Sequence, residues 1–247
     1  MIPRESEVVL RAPATPKIKF PASATPVDAD IPPLNPGDHL SRAEFHRRYQ
    51  AHPEIKKAEL IEGVVYMPSP IRFTKHSEPH GWIVGWLVAY VAATPKTRLG
   101  DNASVRLDWE NEAQPDAFLM LEPARGGNVE IAPDDYLDGA PELVIEVAAS
   151  SVAYDLHSKK RVYQRNGVQE YLVLQPRERR QDWFVLRGGV YETLSANEDG
   201  VITSQVFPGL WLNVSAFWEG DLAALLATLQ NGIASPEHGT FVEKFKM

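Results

Sequence analysis

The hexapeptide Leu143-Val144-Ile145-Glu146-Val147-Ala148 constrains the fold more than any other stretch. It is apolar on both faces of an extended chain, as a strand covered on both sides of a sheet must be. An ionisable group, Glu146, nevertheless sits inside it. Burying that carboxylate without a partner costs several kcal/mol, so such a strand keeps it for a cation, a hydrogen-bond network or a cleft. An edge-strand glutamate facing water is the ordinary alternative. A second apolar run, Ala117-Phe118-Leu119-Met120-Leu121, follows Gln114-Pro115-Asp116 and places another acid at a strand entry, where proline is tolerated. A lone Pro-Asp is equally explained as a turn. Two acids on adjacent strands suit magnesium, a hard cation held by one or two carboxylates that keeps waters.

The helical pattern Tyr154 to Gln164, stopped by Asn166-Gly167, supplies a third component. On a 3.6-residue period Lys159 has Asp155, Leu156, Val162 and Tyr163 around it, so it lies on the stripe facing the sheet; Lys160 has a wetter set. The bland alternative is a lysine laying its stem on apolar surface and pairing with Asp155. Elsewhere, Ser41-Arg42-Ala43-Glu44 opens a short helix, Glu62-Gly63 turns a hairpin within Ala58 to Met67, and Pro79 starts a helix to Ala93. Val105 to Asp108, Val168 to Leu174, Trp183 to Leu186, Val190 to Leu194 and Val201 to Val206 are predicted strands, and Phe217 to Leu229 a closing amphipathic helix. Strands interleaved with helices make an α/β domain over residues 37–231. Residues 1–36 concentrate proline and are expected to form a flexible arm; residues 232–247 are expected to be a flexible tail.

With 25 Lys+Arg against 33 Asp+Glu, the net charge of −8 excludes attachment to nucleic acid or anionic lipid by bulk charge, leaving a local patch or a metal bridge. Cysteine is absent, which excludes disulfides, thiolate zinc sites and a cysteine nucleophile. The opening Met1-Ile2-Pro3-Arg4-Glu5-Ser6-Glu7 lacks the basic and apolar runs of a secretory signal, and the longest apolar stretch, Trp82 to Ala93, falls short of the roughly twenty residues a bilayer needs. A cytoplasmic protein without a membrane partner is the expectation.

Pro115-Asp116, Glu146-Val147-Ala148, Asp155-x-x-x-Lys159, Tyr163 and Gly167-Val168-Gln169-Glu170-Tyr171, in that order, resemble the Uma2 family of restriction endonucleases within the PD-(D/E)XK nuclease superfamily. The resemblance runs from Glu59-Leu60-Ile61-Glu62-Gly63 to Pro208-Gly209-Leu210-Trp211-Leu212. It implies a restriction-endonuclease-like mixed β-sheet core flanked by helices, with additional C-terminal strands and a closing helix. It further implies a metal-dependent endonuclease acting on DNA, with Asp116 and Glu146 ligating Mg2+ (Mn2+ as substitute), the Val147 carbonyl adding a ligand, Lys159 as the catalytic cation, Glu59 as accessory acid and His80 bordering the cleft. One departure stands out: the superfamily lysine two residues after the strand acid is Ala148 here, so its role passes to Lys159. Cutting two strands with one site per chain favours a homodimer.

His76 and His80 have the i, i+4 spacing of helical zinc ligands, but Pro79 starts the helix between them and Glu78 is misplaced for a metalloprotease base. Ser150, Ser151 and Ser158 lack a nucleophile elbow and read as caps. The basic clusters Lys159-Lys160-Arg161 with Arg165, and Arg177 with Arg179-Arg180, suit either a phosphate backbone or solvated surface. The tryptophans sit in apolar segments and pack. Two rival readings stay open: a catalytically inactive nuclease-like domain that binds nucleic acid or protein, and a metal-dependent hydrolase of another substrate.

Overall fold

The computed structural model describes residues 31–68 and 71–245. Most of the arm expected over residues 1–36 therefore lies outside the described residues. Helix α1 (Arg42–Ala51) opens at Ser41, whose hydroxyl accepts the Glu44 N–H; Glu44 turns its carboxylate to Arg47 and Arg48 instead of closing a capping box. Strands β1 (Glu59–Ile61) and β2 (Val64–Tyr66) make the hairpin. A π-helical turn, Phe73–Ser77, leads into α2 (Glu78–Ala93). Then come β3 (Thr97–Asp101), β4 (Val105–Asp108), β5 (Asn111–Ala113), β6 (Ala117–Leu121), β7 (Glu130–Ile131), β8 (Leu137–Asp138) and β9 (Leu143–Val147). The crossover from β9 consists of α3 (Val152–Tyr154), a second π-helical turn (Asp155–Lys159) and α4 (Lys160–Asn166), which Gly167 ends with φ 83°, a conformation that favours glycine. Strands β10 (Glu170–Gln175), β11 (Arg180–Arg187), β12 (Val190–Leu194), β13 (Val201–Thr203) and β14 (Trp211–Asn213) precede α5 (Val214–Glu219), α6 (Leu222–Ile233) and α7 (Pro236–Glu243).

The result is a mixed α/β architecture. One sheet runs β12-β11-β10-β9-β6-β3 and a second β2-β1-β5-β4-β8-β7, with β13-β14 as a separate hairpin. Strand β9 is interior, parallel to β10 and antiparallel to β6. Its alternation divides two cores. Leu143, Ile145 and Val147 join Ile83, Trp86, Leu87 and Tyr90 of α2, whereas Val144 and Ala148 join Val162 and Tyr163 of α4. Strand β6 splits the same way, Ala117 and Leu119 to the first core and Phe118 and Met120 to the second. By the same period of two, Glu146 and Asp116 fall on the second face. The register Ala117↔Ile145, carried one residue further, sets Asp116 opposite Glu146.

Several expectations need correction. The closing helix expected over Phe217 to Leu229 is two helices, because Gly220 adopts φ 76° and ends α5 before Asp221 caps α6. The predicted strand Val201 to Val206 ends at Thr203, where Ser204 turns the chain and accepts the Phe207 N–H. The tail expected to be flexible from residue 232 instead finishes α6 and forms α7, docked by buried His238, whose Nε2 lies 2.9 Å from Thr94 Oγ1. Strand β3 was hidden by its polar edge sequence; its Gly100 faces Phe118, where an added Cβ would meet the ring at 1.9 Å. Among the described residues no helix is long and apolar enough to cross a membrane, and the apolar Trp82 to Ala93 stretch belongs to α2 and its core.

Candidate active site

Asp116 is buried at the mouth of β6, and its carboxylate meets hydrogen-bond donors and cations. Oδ1 lies 2.9 Å from Lys57 Nζ; Oδ2 accepts the Val147 N–H at 2.8 Å and lies 3.2 Å from His76 Nε2. Burial opposes its ionisation, but the hydrogen bond from His76 and the Lys57 ammonium outweigh it and hold the carboxyl well below the usual range. The Val147 N–H, rather than its carbonyl, thus reaches the strand acid; that carbonyl accepts the Ala149 N–H at 3.0 Å. His80 borders the site from α2, its Nε2 2.9 Å from the Asp116 carbonyl oxygen and 3.1 Å from Asp101 Oδ1.

Glu146 lies across the strand pair. Its Oε1 accepts from Lys159 Nζ at 2.9 Å and from Tyr163 Oη at 2.8 Å. Lys159, 3 % exposed, also reaches Glu59 Oε1 at 2.8 Å, bridging the helical crossover to both sheets. Glu59 is fixed in turn by the Gln114 N–H, 2.8 Å from the same oxygen. Asp155, the expected i−4 partner, is more distant from Lys159 at 3.8 Å; it accepts from Ser151 Oγ. Burial raises the Glu146 pKa to about 8 against the pull of Lys159, with Asp116, Asp155 and Glu59 adding to the rise. Asp155 is pushed up to about 6, again by burial first, against Lys159. Burial alone would lower Lys159, yet Glu146, Glu59 and Asp155 carry it well above the ordinary lysine value.

Asp116, Glu146, Lys159, Glu59 and His80 therefore converge. Sequence reasoning missed Lys57 and a cluster role for His76. Lys57 belongs to Glu54-Ile55-Lys56-Lys57, an irregular stretch with no periodicity to aim it. His76 was weighed only as a zinc ligand with His80, whose ring centroid is 5.8 Å away. A signal exists only in retrospect: both π-helical turns carry a cluster residue, His76 and Lys159, and such turns recur at functional sites. The basic clusters are largely committed elsewhere. Arg161 and Arg165 pair with Glu62, Lys160 covers the Phe184 ring at 3.5 Å, and Arg180 pairs with Asp182.

The donor set fits a hard cation. Four buried carboxyl groups (Glu59, Asp116, Glu146, Asp155) stand around two ammonium groups, a set of oxygen donors of the kind a hard divalent ion takes. Two polar atoms at the cluster, His76 Nδ1 and Tyr154 Oη, are buried without a hydrogen-bond partner; Tyr154 has Lys159 Nζ 5.6 Å from its ring centroid. Among the described residues no group of three His, Asp or Glu side chains forms a ready-made metal cage. Two carboxylates with water completing the shell is the arrangement magnesium takes.

Comparison with known proteins adds the lineage. Among solved structures, the chain is similar to a putative nuclease of the DUF820 family from Anabaena variabilis ATCC 29413, at 18 % identity and a TM-score of 0.46, covering 66 % of this chain and 89 % of that one. No curated protein matches. The profile of the Uma2 family, described as "Putative restriction endonuclease", matches residues 42–215, a span that holds Asp116, Glu146, Lys159, Glu59, Lys57, His76 and His80. The chain belongs to the Uma2 family of restriction-endonuclease-like proteins.

Proposed function

We propose that this protein is a metal-dependent endonuclease that hydrolyses phosphodiester bonds, with DNA as its substrate. The observation carrying this reading is the in-register pair Asp116 and Glu146 on one sheet face, with the Lys159 ammonium brought against it from the crossover helix. Asp116 and Glu146 are the residues that would hold Mg2+, or Mn2+ in its place. Bound there, such an ion activates water near neutral pH and offsets charge on the phosphate oxygens.

The chain's own groups do the positioning. Glu59 and Glu146 fix the Lys159 ammonium from two sides, so it is preorganised to stabilise negative charge developing on the phosphodiester. Lys57 holds Asp116 ionised and brings a second positive charge to the same edge. His76 steadies Asp116 through Oδ2. Two copies of the chain would supply the two sites that a double-strand cut requires.

The purified full-length chain with Mg2+ or Mn2+ is expected to nick supercoiled plasmid, while Glu146→Gln does so at least about a thousand-fold more slowly. Intact supercoiled, linear and single-stranded DNA under both metals contradicts the reading; cleavage of RNA alone corrects the substrate. A second reading has its own observation: Lys57 and Lys159 already pair with both strand acids, as in a scaffold that binds nucleic acid or protein without cutting. Metal binding at Asp116 separates the two, because the scaffold needs none.

A further inference from the structure

A cavity of about 640 Å3, widely open to solvent, lies beside the acid cluster. Tyr49, Tyr136, Asn102, Ser104 and Gln114 line it, together with Asp135; no lysine or arginine does so among the described residues. Two wall residues reach directly into the cluster. Asn102 Oδ1 accepts from Lys57 Nζ at 2.8 Å, the same ammonium that pairs with Asp116. The Gln114 N–H donates to Glu59 Oε1.

Both tyrosines are held by their neighbours. The Arg106 guanidinium lies 4.5 Å from the Tyr136 ring centroid, and His46 meets that ring edge-on at 4.5 Å. Arg106 is itself anchored by Asp134 and Asp138. Tyr49 stacks on Phe45 at 5.7 Å, accepts from Gln114 Nε2 at 3.0 Å and donates to the Lys56 carbonyl at 3.2 Å. Rings fixed this way make stacking surfaces that lose little entropy when a ligand arrives.

The lining chemistry selects the occupant. A phosphate would meet Asp135 and no lining cation, and a purely apolar ligand would make no use of the polar lining. A neutral planar heterocycle satisfies both needs, its face on tyrosine and its edge on amide, hydroxyl and carboxylate groups. We propose that this cavity is a nucleobase subsite, taking the base next to the phosphodiester held at Asp116 and Glu146. The inference rests on the nuclease reading of that cluster. A base inside an intact duplex has both faces stacked, so the occupant comes from a single strand or is turned out of a duplex.

The test is binding of a fluorescein-labelled oligothymidylate octamer to the full-length chain in Ca2+, compared with an octamer of the same backbone carrying abasic residues. The wild type is expected to bind the thymidylate about ten-fold more tightly. Tyr136→Leu abolishes that preference without changing abasic binding, and Tyr136→Phe restores it; circular dichroism checks the fold of both. A duplex with and without a central mismatch identifies the source of the base: preference for the mismatch marks a turned-out base, indifference beside tight octamer binding marks single strands. Equal binding of both octamers by the wild type overturns the subsite and leaves the nuclease reading intact. Preference for thymidylate without cleavage of any substrate in Mn2+ overturns the nuclease reading and leaves the base pocket. Binding of neither octamer overturns the subsite.

Discussion

Glu170 and Glu146 are both buried glutamates on neighbouring parallel strands of one sheet, yet they face opposite sides and opposite kinds of neighbour. Glu170 gathers neutral donors: Trp183 Nε1, Ser204 Oγ and the Gln205 and Val206 N–H groups. It staples the turn after β13 to the central sheet. Glu146 instead stands among Asp116, Asp155 and Glu59, with ammonium groups threaded between them. Burial of a carboxylate is thus no signature of a reactive site. Crowding of several carboxylates around too few cations is one, since like charges persist in a dry interior only where a further cation or a reaction needs them.

The comparison breaks most visibly in catalysis. Asp116→Asn or Glu146→Gln is expected to slow plasmid cleavage by about a thousand-fold or more, whereas Glu170→Gln leaves the rate per folded molecule unchanged. Equal losses for all three would erase the distinction. Stability comes next. Lys159→Met strands Glu146 and Glu59 and is expected to cost about 3–5 kcal/mol in urea unfolding. A smaller loss, about 1–3 kcal/mol at acidic pH, is expected of Glu170→Gln, whose amide cannot accept from all four donors. Glu146→Gln is expected to cost less than about 1 kcal/mol at neutral pH, because burial already favours the uncharged Glu146 carboxyl and Lys159 keeps Glu59 and Asp155 as partners.

A pH series sharpens the same contrast. Burial raises the Glu170 pKa from 4.5 to about 7, against the pull of Ser204 and the two backbone N–H groups. Between those values the folded state holds a proton that the unfolded chain has released. The stability this confers is complete below about pH 4.5 and is lost as pH rises through about 7, on the order of 3 kcal/mol in all. Glu170→Gln is expected to flatten that slope, so its deficit relative to wild type shrinks as pH rises. Parallel stability curves for the two proteins would show that Glu170 ionises freely in the fold.

The sequence made the strand acids legible because Leu143 to Ala148 and Ala117 to Leu121 are apolar on both faces, so an acid within or beside them is conspicuous. Lys159 was legible from helical spacing, although the turn that carries it is π-helical. Gly167 and Pro79 marked helix ends correctly, because their backbone restrictions are local. Lys57 and His76 were not legible: one lies in an irregular stretch and the other in a π turn, and their contacts with Asp116 span 59 and 40 residues of chain. Short polar strands such as β3 and β5 escaped because neither carries an apolar alternation: β3 pairs with β6, and β5 closes a tight hairpin on β4 and meets β1 at Leu60. Glu170 was quoted only within a motif; nothing in its neighbours announced four donors arriving from β11 and the turn at Ser204.

Calorimetric titration of Mn2+ into the full-length protein and its Asp116→Asn variant at neutral pH tests the cation-holding carboxylate pair most directly. About one ion per chain is expected in the wild type and none in the variant. Equal heats from the two proteins, or no binding by either, would contradict it.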